Sequence, residues 1–210
     1  MKSTEIILAR NILKSQYDIT PDKVVGVYPY GSILYNTITD KSDLDLVVIV
    51  DMVKNDYLQY ESEDLDIHFL SINYYNQLLQ KHDIMALECY FNKTPYLAYE
   101  TEFKLDLPTL RKSISHVASN SWVKAKKKVN LEDEDDYIGY KSLFHSFRIP
   151  ILGTQIARFG EIKNFRDGNV YWTRIMGMVD HGSTIEQILA VLKPDHNKVM
   201  SDFRELAPKQ

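Results

Sequence analysis

Residues 43–50 read Asp43-Leu44-Asp45-Leu46-Val47-Val48-Ile49-Val50, two acidic residues that lead into an apolar run. Alternate side chains of a β-strand share a face, so both carboxylates begin the same face. Beyond Leu46 both faces are apolar, a pattern typical of a central strand that is covered on its two sides. Carboxylates on a face that is otherwise apolar predict that a partner compensates their charge.

Two other segments are predicted to be strands beside this one. Residues 24–28 are β-branched and aromatic, and they lead to a turn at Tyr30-Gly31-Ser32. In residues 64–70, Leu65, Ile67 and Phe69 alternate with Asp64, Asp66 and His68. Either aspartate of this third strand can supply another acidic group, and we prefer Asp66 because it lies inside the apolar run.

The rest of the chain has mainly helical patterns. We predict helices near residues 3–15, 74–81, 84–91, 108–129, 137–158 and 185–192, the fifth bent by Pro150 near Arg148 and the last begun by a capping box from Ser183 to Glu186, with a short edge strand at 95–99. The predicted class is therefore α+β. We predict a first domain over residues 1–105, with a small mixed sheet and flanking helices, that contains the candidate catalytic side chains, and a helical domain over residues 106–210.

Composition excludes several classes of protein. The chain has 210 residues, 44% of them hydrophobic, and a single cysteine, Cys89, which excludes an internal disulfide. No apolar run approaches the roughly 20 residues that span a bilayer, and the N-terminus lacks the pattern of a secretory signal. We expect a cytoplasmic protein with no membrane partner, and its oligomeric state stays open.

Charge is unevenly distributed along the chain. The net charge of −4 hides an acidic first half, with 9 Lys and Arg against 17 Asp and Glu in residues 1–107. Residues 108–131 carry 6 basic and no acidic residues. An acidic half next to a basic segment suits a carboxylate metal centre and a patch that receives an anion, although a solvated lysine-rich helix explains the segment equally well.

The acidic residues and the glycine turn together indicate phosphate chemistry. Glycine at the end of a strand lets backbone amides approach a phosphate, and the Ser32 hydroxyl adds a donor. Asp43 and Asp45 stand about 7 Å apart along one strand face, so they can converge on a cation with Asp66 from another strand. Mg²⁺ relieves the repulsion among such carboxylates and bridges to substrate phosphates.

These residues resemble the nucleotidyltransferase superfamily typified by DNA polymerase beta. The family pattern is an apolar residue before Gly-Ser, a loop, Asp-x-Asp and a later acid on a strand, matched by Tyr30-Gly31-Ser32, Asp43-Leu44-Asp45 and Leu65-Asp66-Ile67. The resemblance implies two Mg²⁺ (or Mn²⁺) ions, one held by Asp43 and Asp45 and the second shared with Asp66. Gly31 and Ser32 would bind the triphosphate of an NTP such as ATP, and Asp66 is also a candidate proton acceptor.

A narrower resemblance is to the RlaP branch, a family of RNA repair pathways. It rests on Tyr30-Gly31-Ser32-x-x-Tyr35, on Ser42 before the Asp-x-Asp motif, on Ala86-Leu87-Glu88, and on Lys141, His145 and Arg148. The tyrosine of that family is usually followed by glycine, whereas Asn36 follows Tyr35. The resemblance implies that the acceptor of the nucleotide is an RNA end.

Several other side chains are candidates for binding. Tyr35 and Ser42 are candidate nucleotide contacts, and a core position for Tyr35 is an equal alternative. Lys141, His145 and Arg148 share one helix stripe that would suit a phosphate, or else a solvated face pairing with the acidic residues 132–136. Lys124, Lys126, Lys127 and Lys128, with Trp122 nearby, are candidates for guiding single-stranded nucleic acid by charge and stacking.

Two other functions fit the same residues. A protein-modifying AMP transferase of the toxin–antitoxin type would use the same catalytic residues with a protein hydroxyl as acceptor. A nucleotide- or RNA-binding module without catalysis is the other alternative, but a protein that only binds anions has reason to lose buried negative charge. The base transferred, the number of additions and any template are not encoded in these motifs.

Overall fold

The computed structural model describes residues 2–39, 42–53, 56–128 and 136–209, and its chain forms two compact units, Met1–Lys104 and Leu105–Gln210. The first unit contains α1 (Lys2–Tyr17), β1 (Val24–Pro29), α2 (Gly31–Tyr35), β2 (Leu44–Val50), β3 (Tyr57–Ser62), β4 (Leu65–Ser71), α3 (Ile72–Gln80) and α4 (Ile84–Phe91). The second contains α5 (Leu107–Lys128), α6 (Asp136–Phe159), α7 (Asn169–Asp180) and α8 (Ile185–Leu206). A mixed sheet followed by a helical half confirms the predicted α+β class.

The four strands form one sheet in the order β1-β2-β4-β3. Strand β2 is central; it pairs antiparallel with β1 and parallel with β4, and β3 forms an antiparallel hairpin with β4. One face of the sheet packs on α1, with Leu46, Val48 and Ile67 fully buried against Ala9 and Leu13. On the other face Val47 and Ile49 are also fully buried, so β2 is covered on both sides as its sequence predicts.

Strand β3 was not predicted from the sequence. Its side chains alternate between exposed and half-buried, and only Leu58 and Tyr60 reach the core on the α1 side. An edge strand with one solvated face has a weaker hydrophobic pattern than a central strand. The turn that joins it to β4 contains Glu63 and the exposed Asp64.

The second unit packs its helices around aromatic and aliphatic side chains. The core includes Trp122, Phe144, Phe147, Ile188 and Leu192. Helix α7 was not predicted, and α8 extends 14 residues beyond the predicted end, through Pro194. The capping box is one residue later than predicted: the Thr184 side chain accepts from the Gln187 backbone, and the Gln187 side chain accepts from the Thr184 N–H.

A buried histidine makes the stability of this unit depend on pH. His196 is 8% exposed and stacks on Trp122 with ring centroids 4.3 Å apart. Burial, aided by the positive charges of Arg204 and Lys126, lowers the pKa of His196 to about 4. The imidazole therefore stays neutral in the folded chain at pH values where the unfolded chain already protonates it.

This depressed pKa predicts a loss of stability on acidification. Between pH 6.5 and about 4 the unfolded state binds a proton that the folded state does not, so stability falls as the pH falls. We expect His196 to contribute a loss of about 2 kcal/mol between pH 7.5 and 5. Urea unfolding followed by tryptophan fluorescence measures it, since Trp122 and Trp172 both lie in this unit.

The matched variant is His196→Phe, which keeps an aromatic ring at the stack and removes the titrating group. Its free energy of unfolding should decline less than that of the wild type over this pH range, by about 2 kcal/mol. Parallel pH profiles for the two proteins would contradict the assignment.

Candidate active site

The site is built on the end of β1, the start of β2 and the start of β4. Backbone pairing continues past β1, because the Tyr30 N–H donates to the Asp45 carbonyl at 3.0 Å. The chain then turns at Gly31, whose φ of +60° lies in the left-handed region that favours glycine. Gly31 is thereby placed directly beside the Asp45 side chain.

The contact between Gly31 and Asp45 leaves no room for a side chain at residue 31. A Cβ added to Gly31 would stand 1.8 Å from Asp45 Oδ2 and 2.6 Å from its carboxyl carbon. The Gly31 backbone and the Asp45 carboxylate are therefore in close contact, as a site that binds a phosphate and a cation together requires. Glycine at this position is dictated both by its φ and by this approach.

Asp45 and Asp66 are neighbours across the sheet. They are register partners in the parallel β2–β4 pair, so their side chains leave the same face of adjacent strands. Asp64, the alternative weighed from the sequence, lies in the turn before β4 and is exposed, and its carbonyl accepts the Leu44 N–H at 2.9 Å. The structure thus brings Asp66 to Asp45 and leaves Asp64 outside the strand.

Asp43 lies one residue before β2 and is half-buried. The strand itself starts at Leu44, so the pairing of β2 does not fix the face of the Asp43 side chain. Within residues 2–39, 42–53, 56–128 and 136–209 no three His, Cys, Asp or Glu side chains are grouped closely enough to hold a metal ion. The expected convergence of three carboxylates on one point is therefore not formed here; two of them, Asp45 and Asp66, are paired.

Side chains of β3 and β4 hold Asp66 in place. Gln59 Nε2 donates to Asp66 Oδ1 at 2.8 Å, and His68 Nε2 lies 3.5 Å from Asp66 Oδ2. The Tyr57 hydroxyl lies 2.7 Å from His68 Nδ1 and donates to Gln59 Oε1 at 2.9 Å. Gln59 and Tyr57 were not predicted as site residues, because β3 was not predicted as a strand; the alternation of residues 57–61 was the signal for it.

Ser32 and Ser42 have different surroundings. Ser32 Oγ is buried and has no hydrogen-bond partner in the described part of the chain, which leaves a donor next to Gly31 for a ligand oxygen. The Ser42 hydroxyl instead accepts from the Thr39 N–H at 2.9 Å, and the Ser42 N–H donates to the Thr39 carbonyl. Ser42 therefore shapes the loop that precedes Asp43, and its contact with nucleotide stays a prediction.

Tyr35 lies in the core, which is one of the two positions that its sequence context allows. Its side chain is 2% exposed, and its hydroxyl donates to Glu88 Oε2 at 2.6 Å; Glu88 is fully buried. The structure thus places the Tyr35 ring away from solvent, and its described contact orients Glu88 instead of a nucleobase. An O–H donor to a buried carboxylate is among the stronger hydrogen bonds in proteins.

Lys141, His145 and Arg148 share a face of α6 but do not form a row of three cations. Arg148 is 2% exposed, and its Nε donates to His145 Nδ1 at 3.2 Å, so that nitrogen acts as an acceptor. Burial, with the nearby charges of Arg148, Lys141 and Lys124, lowers the pKa of His145 to about 3. His145 is neutral at physiological pH, and only Lys141 is exposed.

The lysines at the end of α5 are solvent-exposed, but their expected stacking partner is not. Lys124, Lys126 and Lys127 are exposed, and the side chain of Lys128 lies outside the described residues, as do residues 132–135. Trp122 is 8% exposed and stacked on His196, so it is not available to a nucleobase. The stacking part of the prediction is therefore wrong, while binding by these lysines stays a prediction.

The arrangement combines two features. A glycine–serine bend lies beside one carboxylate, and a second carboxylate is in register on the next parallel strand. Residues 6–107 match the family model of the nucleotidyltransferase domain, and this segment contains Gly31, Asp45 and Asp66. The match covers a little less than half of the chain and supports a transferase enzyme.

Solved structures of other proteins are similar to this chain. A nucleotidyltransferase-like protein from Exiguobacterium sibiricum 255-15 is 12% identical and aligns over 95% of this chain and 73% of its own, with a TM-score of 0.33. None of the curated proteins compared with the chain matches it. Over the described residues, none of the helices has both the length and the apolar character that crossing a bilayer requires.

Proposed function

We propose that this protein is a metal-dependent nucleotidyltransferase that moves a nucleotide from an NTP to a hydroxyl at an RNA end. The observation that carries the proposal is the contact of the Asp45 carboxylate with the Gly31 bend, together with the register of Asp45 and Asp66. Repair or modification of RNA, the role of the RlaP branch, is the biological setting that we propose for it.

The donor chemistry of the site fits a hard divalent cation. Asp43, Asp45 and Asp66 offer only oxygen ligands, and two of these carboxylates, Asp45 and Asp66, are register partners on adjacent strands. Like charges on adjacent strands repel, and a cation turns that repulsion into attraction. We propose that Asp43 and Asp45 hold one Mg²⁺ or Mn²⁺ and that Asp45 and Asp66 share a second.

When bound, such ions neutralise the triphosphate and make the acceptor hydroxyl more acidic. The chain's own groups do the rest. The Gly31 backbone and the Ser32 hydroxyl bind the β- and γ-phosphate oxygens, and this accounts for the unpartnered Ser32 Oγ. Asp66, held by Gln59 and His68, accepts the proton of the acceptor hydroxyl.

The reaction then balances as a displacement at the α-phosphorus. The acceptor oxygen forms a bond to the α-phosphorus as the bond to the bridging oxygen of the β-phosphate breaks. The electron pair of the broken bond leaves with pyrophosphate. Positioning and electrostatic stabilisation supply most of the acceleration, since phosphoryl transfer needs little covalent help from the protein.

A transfer assay tests this function. The protein is incubated with each α-³²P-labelled NTP and Mg²⁺ or Mn²⁺, with tRNA, other RNA or lysate protein as the acceptor. We expect label on RNA, pyrophosphate as the second product, and no transfer when EDTA replaces the metal. Label on protein alone would reject the RNA acceptor in favour of a protein-modifying AMP transferase. Binding of NTP without transfer under any condition would favour a binding module.

A further inference from the structure

Two adjoining cavities run along α5 and α8 in the helical unit. The first has a volume of about 590 Å³ and is lined by Pro108, Arg111, Lys112, Ser115, Arg204 and Lys209. The second, about 760 Å³, shares Arg111 and Arg204 with the first and continues past Ser119 and Ser201. We call this continuous depression the α5/α8 groove.

Among the residues that the structure describes, the first cavity is lined by four cationic side chains and by no acidic one. Nor does α5 itself contain any Asp or Glu. Lys112 and Lys209 are exposed, and neither forms an ion pair with any residue that the structure describes. Like charges that face one cavity repel one another, so an anion in the groove is favoured.

Two of the cations are held in position by the fold. Arg111 Nη1 donates to the Arg204 carbonyl at 2.5 Å and to the Ala207 carbonyl at 2.8 Å, so its guanidinium closes the end of α8. Arg204 Nε donates to Ser115 Oγ at 3.4 Å. The two arginines therefore sit in the wall that both cavities share, and the two lysines add exposed charges to the first cavity.

The length of the groove distinguishes a strand from a single phosphate. Arg111, Ser115 and Ser119 recur every fourth residue along α5, which spreads them over about 12 Å. Cationic and hydroxyl side chains at this spacing can each contact a successive phosphate of a polynucleotide. A single free phosphate would contact only some of these side chains. One acidic residue, Glu205, lines the second cavity, so the strongest binding is expected at the first.

We propose that the α5/α8 groove binds the phosphodiester backbone of single-stranded RNA, the acceptor of the transfer reaction. This inference rests on the proposed function for the identity of the strand. It places RNA contacts along the C-terminal half of α8 and along residues 108–119 of α5, a region separate along α5 from the exposed lysines 124, 126 and 127. Arginine guanidinium groups and lysine ammonium groups bind the phosphates of the RNA backbone, and these contacts do not depend on the base sequence.

Binding of labelled RNA tests the groove without using catalysis. The full-length chain carrying Asp45→Asn is titrated into a fluorescent single-stranded RNA of about 15 nucleotides, with no NTP present. Fluorescence anisotropy is measured between about 50 and 200 mM KCl. The test variant adds Lys112→Gln and Lys209→Gln, two exposed positions whose replacement spares the Arg111 contacts that hold α8.

Loss of two phosphate contacts predicts a defined change. The slope of log affinity against log salt should become shallower by about 1.4, and affinity near 0.1 M salt should fall roughly 10- to 30-fold. The matched control is Lys81→Gln with Lys163→Gln, which removes the same charge from two exposed sites outside the groove. The control should keep the wild-type slope.

The inference is overturned by an unchanged slope in the groove variant, by an equal loss in the control, or by no RNA binding by the parent chain. Binding of inorganic triphosphate at the groove without binding of RNA would also reject it. These outcomes are independent of the transfer assay. A chain that binds RNA through the groove but transfers no nucleotide would refute the proposed function and leave the groove assignment standing.

Discussion

Asp45→Asn is expected to slow nucleotide transfer about 10³-fold while the protein stays folded. The substitution keeps the shape of the side chain and removes the charge that lies against the Gly31 bend. A charge that clamps a cation and triphosphate is worth several kcal/mol in the transition state, which corresponds to this loss of rate. Stability should hold or rise slightly, because Asp45 and Asp66 no longer repel across the β2–β4 pair.

The chain offers a matched control in Asp64→Asn. Asp64 is two residues from Asp66 in sequence, is exposed in the β3–β4 turn, and uses its backbone carbonyl to pair with Leu44. The variant therefore loses the same charge without altering the paired carboxylates, and transfer should change less than about twofold. Initial rates with labelled NTP and urea unfolding curves measure both effects. Activity of Asp45→Asn within tenfold of wild type, or equal losses in the two variants, would contradict the assigned role.

The central part of the site could be predicted because strand geometry imposes it. The apolar pattern of β2 determines the face of the sheet on which Asp45 lies, and the alternation around Asp66 determines its face on β4. Parallel pairing then sets the two carboxylates side by side. The Gly-Ser turn at the end of β1 was predicted, whereas its close approach to Asp45 and its left-handed φ were found only in the structure.

The missing parts share a physical reason. Strand β3 is an edge strand with one solvated face, so its alternation of apolar residues is incomplete. Because the strand was not predicted, Gln59, the hydrogen-bond partner of Asp66 on that strand, was not predicted either. The neutral state of His145 depends on burial and on neighbouring charges that are brought together only by packing. Packing also decides the position of Tyr35. Its place in the sequence suits a core position and a contact with a nucleobase equally well, and only the structure shows the hydrogen bond to Glu88.

The capping of α8 shows how small such errors can be. Ser183 and Thr184 both suit an N-cap, and both Glu186 and Gln187 suit the reciprocal position three residues later. The structure selects Thr184 and Gln187, which places Ile185, Ile188 and Leu192 in the core. The choice between a cap at Ser183 and a cap at Thr184 goes with the burial of these apolar residues. The residues at the cap positions do not by themselves encode that burial.

Gly31→Ala is expected to lower transfer at least about 100-fold and to destabilise the first unit. Alanine at a φ of +60° costs about 1–2 kcal/mol in backbone conformation alone. In addition its Cβ would stand 1.8 Å from Asp45 Oδ2, so the carboxylate or the bend must move by more than an ångström. Displacement of about 1 Å at a phosphoryl-transfer site is sufficient for a loss of 10² in rate.

Two other glycines separate the backbone cost from the displacement of Asp45. Gly160 and Gly182 have φ values of +72° and +77°, and an added Cβ would meet no atom within 4 Å at either position. Alanine at these sites should cost the same 1–2 kcal/mol or so in urea unfolding and leave the transfer rate unchanged. A Gly31→Ala protein that is destabilised only to this extent, with full activity, would mean that the bend is an ordinary turn. Loss of activity beyond the loss of folded protein would instead tie catalysis to the closeness of Gly31 and Asp45.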